Sequence, residues 1–330
     1  MIKSSVKASP FIHSSETSLN LHLDLLIGLL SVMIISVVQN GLRALTLCLF
    51  CALTAWLTEK IGLIIARRDK NTDLRSLAMG LIIAMLCPVT IDFWVPISAS
   101  FISVLFVRVI LGNNYKNLFL TPVLAWIYML TVAPKSMTSF PSEVSFGTFS
   151  PFENINSDFY ASVESIAQQL QLKKELPYSF LNILTGDYPG GLGTTCIFII
   201  LGVCVYFIFR KSMAWQVSLS MIVTVAVFAL LINRTNQSPL FSVLYELSAT
   251  SYIFVAVFVA GDIINAPSVN LAKIVYGILI GVLTMLFRYL GFAEHCVLLS
   301  LFICNFFCEI LDVLFLYLQI YYLRKRMIKK

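Results

Sequence analysis

Apolar runs alternate with short polar breaks along most of the chain. They fall near residues 22–40, 42–65, 74–90, 92–111, 118–134, 195–209, 213–232, 241–261, 271–290 and 295–323. Each is close to the roughly 17–25 residues that an α-helix needs to cross a bilayer, so the pattern predicts an all-α polytopic membrane protein of about ten transmembrane helices. The single long polar stretch, 135–194, divides the chain into an N-terminal half of five spans (1–134) and a C-terminal half of five (195–330). Two five-helix halves on either side of one loop are the outline of a duplicated membrane fold. A loop of that length is usually functional, and inside it Val163 to Leu172 has the spacing of a short helix that could lie on the membrane face.

Composition narrows the class. Hydrophobic residues make up 58% and charged residues 12% of 330, with a mean hydropathy of +0.88; a soluble core cannot bury so much apolar surface, which excludes a soluble enzyme. The first run follows only Lys3 and Lys7, shows no cleavage cue and leads straight into a second run, which predicts a retained span. Ten spans put both termini on one side. With that side inside, 17 of the 23 Lys and Arg residues are internal, leaving only Arg43, Lys135, Lys173, Lys174, Arg234 and Arg288 outside. The charge asymmetry therefore predicts cytoplasmic termini, and it accounts for the net charge of +6 without a nucleic-acid partner. Cysteines such as Cys48, Cys51, Cys304 and Cys308 sit within apolar runs as small hydrophobes, and no histidine or cysteine spacing suggests a metal.

Candidate chemistry lies in the polar residues that interrupt the oil. Between Asp262 and Asp312 stand Pro267, Tyr276, Gly277, Gly281, Arg288, Gly291, Glu294 and Asn305. An ionisable group at membrane depth costs about 2.5–3.5 kcal/mol on insertion scales, so Asp73, Asp262, Glu294 and Asp312 are candidates for an ion pathway, or else helix caps and loop residues at the interface. Asp73, just before Leu74, suits a cap; Asp312, inside the last run, does not. Gly277 and Gly281, four apart, suit close helix packing. Gly190-Gly191-Leu192-Gly193-Thr194-Thr195 opens the sixth span. Its backbone amides could hold a phosphate at a helix start, or the segment could be a loop that ends with Thr194 as the N-cap.

The order of these motifs resembles a known family. Gly261-Asp-Ile-Ile-Asn-Ala-Pro267, Tyr276-Gly-Ile-Leu-Ile-Gly281, Arg288-Tyr-Leu-Gly291 with Glu294, and Asn305 to Asp312 keep the spacing of T-D-P-x-T-S-P, Y-G-x-x-x-G, R-x-x-G-x-x-P-E-G and N-x-x-x-P-L-I-D. Those are patterns of the D subunit of Rnf ion-translocating electron-transport complexes and of its relative, the B subunit of the sodium-translocating NADH:quinone reductase. Asp73 to Pro88, Gly112 to Pro122 (with Asn117 and Phe119), Pro134 to Thr138 and Gly190 to Cys196 resemble further family segments in the same order. Several letters differ: Gly261, Ile263, Ala293, His295 and Glu309 replace the usual Thr, Pro, Pro, Gly and Pro.

The resemblance implies a subunit of a bacterial inner-membrane, ion-translocating oxidoreductase complex. It would work among other membrane subunits, carrying electrons through flavin while sodium ions or protons move. It implies FMN esterified to a threonine in an external S-G-A-T motif and leaves a second flavin open. The matching segment here runs from Asp158 to Ser165 and puts Val163, which has no hydroxyl, at the acceptor position; Ser162 and Ser165 are the nearby alternatives. Gly190, Gly191, Gly193, Thr194 and Thr195 would serve the phosphate, and Asp73, Asn117, Asp262 and Arg288 are the polar candidates for the ring. A flavin-free solute channel or a purely structural subunit are the alternatives on the same fold.

Overall fold

The computed structural model describes residues 18–67, 74–112, 120–141, 162–172, 178–234, 238–292, 294 and 296–328. Asp73, Asn117 and the segment 158–161 lie outside them. The first two helices, α1 (Ser18–Asn40) and α2 (Leu42–Ile65), are joined by Gly41 alone, whose φ of 74° reverses the chain at once. The short α3 (Arg75–Leu86) is followed by α4 (Trp94–Val104), which runs on as a π-helical turn over Leu105–Ile110, and by α5 (Thr121–Val132), begun by Pro122.

The middle of the chain holds the short helices α6 (Pro134–Thr138), α7 (Ile166–Gln171) and α8 (Phe180–Thr185), with a two-residue antiparallel pairing of β1 (Phe140–Pro141) and β2 (Ser162–Val163). The second set comprises α9 (Ile197–Arg210), α10 (Trp215–Leu231) and α11 (Pro239–Ser248). It continues with α12 (Tyr252–Phe254), extended as a π turn to Ala260, then α13 (Asn270–Leu290) and α14 (Cys296–Ile328). Five stretches are long and apolar enough to cross a membrane unaided: Leu19–Asn40, Leu42–Ile65, Pro239–Ala260, Asn270–Leu290 and Cys296–Tyr321. Five others are shorter apolar helices. The protein is polytopic and, apart from the β1–β2 pair, helical among the described residues.

Small residues bring helices together. At Gly80 a Cβ would stand 2.5 Å from the Cys51 carbonyl, so α3 lies backbone to backbone on α2, with Cys48 and Cys51 fully buried beside it. Gly277 and Gly281 do the same for α13 on α10, where a Cβ at Gly277 would clash with Ser220 Oγ and stand 2.5 Å from the Val217 carbonyl. Those glycines pack helices, as their spacing suggested.

The third member of each set is broken, and each break is held by a buried arginine. Pro88 forces Cys87 into an extended conformation and ends α3, which is why the 74–90 run yields only twelve helical residues. The stranded carbonyls of Val89 and Ile91 accept from Arg43 at 2.8 and 2.9 Å. Arg43 is 2% exposed, so the residue that the charge count treated as a solvated flanking charge is buried at this break. The run 241–261 breaks without proline or glycine, at Thr250 and Ser251, both with φ of 57°. Arg288 closes this second break.

Candidate functional site

Arg288, near the end of α13, is 3% exposed. Its guanidinium meets Glu246 Oε2 at 2.7 Å and donates to the Glu246 carbonyl at 2.7 Å, the Ala249 carbonyl at 3.1 Å and Thr250 Oγ1 at 2.8 Å. It thus satisfies carbonyls that the end of α11 leaves open and neutralises the buried carboxylate beside them. Arg234 approaches the same carboxylate at 3.3 Å. Glu246 and Arg234 were not candidates from sequence, because a glutamate in the middle of an apolar run gives no sign of which arginine it faces.

The glycine-rich loop at 190–195 packs against the broken end of α3. The Leu192 amide donates to the Cys87 carbonyl at 2.9 Å, Gly193 to Met85 at 3.1 Å and Thr194 to Gly191 at 3.1 Å. Ser36 donates to the Leu192 carbonyl. A Cβ at Gly191 would be 3.1 Å from the Leu86 carbonyl, so this close approach explains the glycine. Thr194 is not an N-cap: α9 begins at Ile197 after Cys196, with no side-chain cap, and Thr194 Oγ1 donates back to Gly191. Of the amides that sequence offered to a phosphate, those of Leu192 and Gly193 are engaged by α3-end carbonyls and that of Thr194 by the loop itself.

Between these two breaks lies a small cavity of about 30 Å³, bounded by Leu86, Gly191, Thr250, Ser251, Glu294 and Leu298. Glu294, in the turn between α13 and α14, accepts a hydrogen bond from Ser165. Burial pushes its carboxyl up to about 7, against an opposing pull from Arg288. Ser165 also caps α7 in a reciprocal box with Gln168. The apolar face of α7 (Ile166, Ala167, Leu170) is buried in the protein, so this helix covers the second break instead of lying on the membrane.

The remaining candidates sit at the opposite end of α13, which at about 1.5 Å per residue is about 31 Å away over its 21 residues. Asp262 pairs with Arg75 at 2.8 Å and accepts from the Ile264 amide and Asn265 Nδ2, tying the 261–269 turn to the start of α3. Asp312 accepts from the Ser268 amide at 2.8 Å and the Val269 amide at 3.2 Å. Sequence placed it as an unlikely cap of its own helix; it instead caps the start of its neighbour α13. Asp262 and Arg288 therefore cannot hold one ring together. Tyr276 donates to Asn305 in the buried α13–α14 seam, a packing role.

Residues 5–318 match the family described as NQR2, RnfD, RnfE, and the chain belongs to it. It is 23% identical to the D subunit of the ion-translocating oxidoreductase complex of Haemophilus ducreyi, over 92% of this chain and 95% of that protein. It is 24% identical to the D subunit of the Na(+)-translocating ferredoxin:NAD(+) oxidoreductase complex of Acetobacterium woodii, over 88% and 87%. The B subunit of the Na(+)-translocating NADH-quinone reductase of Chromohalobacter salexigens is 27% identical over 70% of this chain and 56% of its own length.

Proposed function

We propose that this member of the NQR2, RnfD, RnfE family is the D-type membrane subunit of an ion-translocating oxidoreductase complex, and that its part is played at the Glu294 cavity. The family match over nearly the whole chain supports the complex, and similar proteins named as Na(+)-translocating supply sodium ions among the candidate cargoes. The observation that carries the site is the convergence of two broken helices on one titratable carboxyl. Broken helices leave backbone groups that line protein-enclosed gaps, the arrangement membrane proteins use to handle ions. The cavity's 30 Å³ admits a water-sized occupant, not a solute of several heavy atoms.

The described residues do not fit a covalently held FMN. Val163 lacks an acceptor hydroxyl, three of the loop amides are engaged, and the gap there is far below the roughly 300 Å³ of a cofactor pocket. The charge asymmetry of 17 to 6 supports cytoplasmic termini.

The test uses the assembled complex in vesicles. Glu294→Gln is expected to lower ion uptake per electron transferred while the complex assembles normally; unchanged uptake would remove Glu294 from the pathway. A denaturing gel viewed under ultraviolet light is expected to show no fluorescent band for this subunit, and a band that disappears with Ser162→Ala would restore the covalent flavin.

A further inference from the structure

The last helix carries a face that neither lipid nor water suits. Along α14, Glu309, Ile310, Val313, Leu314, Tyr317 and Leu318 line an open groove of about 670 Å³. Their spacing of one, three, one, three and one is a single stripe of an α-helix. All six are exposed, Val313 and Tyr317 by 68% and 72%. The exposed stripe of α10, formed by Leu219, Val223, Val227 and Leu230, is purely apolar and suits lipid tails. The α14 stripe differs in bearing a carboxylate, Glu309, that meets no cation among the described residues.

Depth makes the mismatch sharper. The 21 residues of α13 span about 31 Å, the thickness of the hydrocarbon core. Taking α13 as a span of that core, Asp312, bonded to the amides of Ser268 and Val269, stands level with its first turn. Glu309 is then one turn inside that level, where an unpaired carboxylate is costly. Residues 313–321 project about 14 Å beyond it, and eight of those nine are apolar. That length exceeds a headgroup layer, so the segment would stand in water uncovered.

We infer that this face of α14 docks a membrane-spanning helix of another subunit of the complex. That helix projects from the bilayer on the same side and brings a Lys or Arg side chain to Glu309. The carboxylate sets the chemistry of the occupant, and the projecting apolar turns set its length: a helix confined to the bilayer would cover Glu309 but leave Val313 to Tyr317 exposed. The inference rests on the chain's membership of a multi-subunit complex, and its test separates the two.

A photo-crosslinking amino acid is placed at Tyr317, or at Val223 as the lipid-facing control, in the complete complex in native membranes. Tyr317 is expected to give one adduct with a different subunit of the complex, and Val223 lipid adducts only. Glu309→Lys is expected to reduce the Tyr317 adduct at least fivefold, with recovery when the basic residue on the crosslinked helix is made acidic. If Glu309→Lys lowers the amount inserted, Glu309→Gln is read instead, with the same direction expected. A Tyr317 adduct with lipid, or with a second copy of this chain, overturns the inference, as does an adduct indifferent to both Glu309 substitutions. Failure of the unsubstituted chain to co-purify with any complex would sink the subunit reading and this surface together, whereas an intact complex with Tyr317 in lipid sinks only the surface.

Discussion

Arg288→Ala tests whether the second helix break is held as described. The substitution removes a guanidinium that is 3% exposed and paired with Glu246 at 2.7 Å, along with donors to Ala249 and Thr250. Stranding one member of a buried ion pair costs about 3–5 kcal/mol, and orphaned carbonyls add about 1–3 kcal/mol. Arg234, at 3.3 Å from the same carboxylate, offsets part of this, which places the expected loss near 3 kcal/mol. At about 2 °C or more per kcal/mol, the melting temperature in detergent should fall by about 6 °C. Of the eight cysteines seven are buried, so a thiol-reactive dye reports the transition directly. Glu246→Gln should cost less, since it leaves Arg288 its carbonyl acceptors, and the paired change Arg288→Met with Glu246→Leu should recover stability relative to Arg288→Ala. A melting temperature within 1 °C of the parent for Arg288→Ala would refute the reasoning, as would a double variant no more stable than Arg288→Ala.

Gly277→Ala should destabilise by about 1–3 kcal/mol through overpacking, since its Cβ would clash with Ser220 Oγ and fall 2.5 Å from the Val217 carbonyl; Gly202→Ala, with nothing within 4 Å, should be neutral in the same melting assay. Asp262→Asn keeps a capping oxygen but loses the charge facing Arg75, for an expected cost of about 1–3 kcal/mol; Arg75→Gln should add little on top of it, and full additivity would show that the two do not act as a pair. The raised Glu294 carboxyl makes the folded chain hold a proton that the unfolded chain has released between pH 4.5 and about 7. Stability should therefore fall across that window, by no more than about 3 kcal/mol, and level off above it. Melting curves from pH 5 to 8 should flatten in Glu294→Gln, and an equally steep Glu294→Gln profile would assign the dependence to another group.

Periodicity revealed where the chain is helical because burial in lipid demands long apolar runs, and the ten runs coincide with helical segments. It overestimated α3 and α5, at twelve residues each, where proline and irregular backbone shorten the helix inside a continuous apolar run. The break at Thr250 and Ser251 was hidden for a different reason. Neither residue carries the glycine or proline signature of a break, and the left-handed backbone persists because Arg288, some 38 residues away, closes it. Local propensity cannot register a partner that distant.

The charged residues show the same limit from the other side. Counting arginines by segment treats each as solvated, yet Arg43 and Arg288 are buried and bonded to backbone carbonyls at the two breaks. The spacing from Asp262 to Asp312 was legible as functional polarity, but a helix turns spacing into distance. Asp262 and Asp312 fasten one end of α13, while Arg288 and Glu294 form the other, about 31 Å away. A motif read as one site is thus two: a fastening of α13 to α3 and α14 at one membrane boundary, and a titratable junction of broken helices at the other. Only the second combines a carboxyl of shifted protonation, a gap of water size and an arginine whose removal would reshape that gap. Arg288, bonded to Thr250, and Ser165, bonded to Glu294, are the residues that tie the surroundings of Glu294 to α13 and α7.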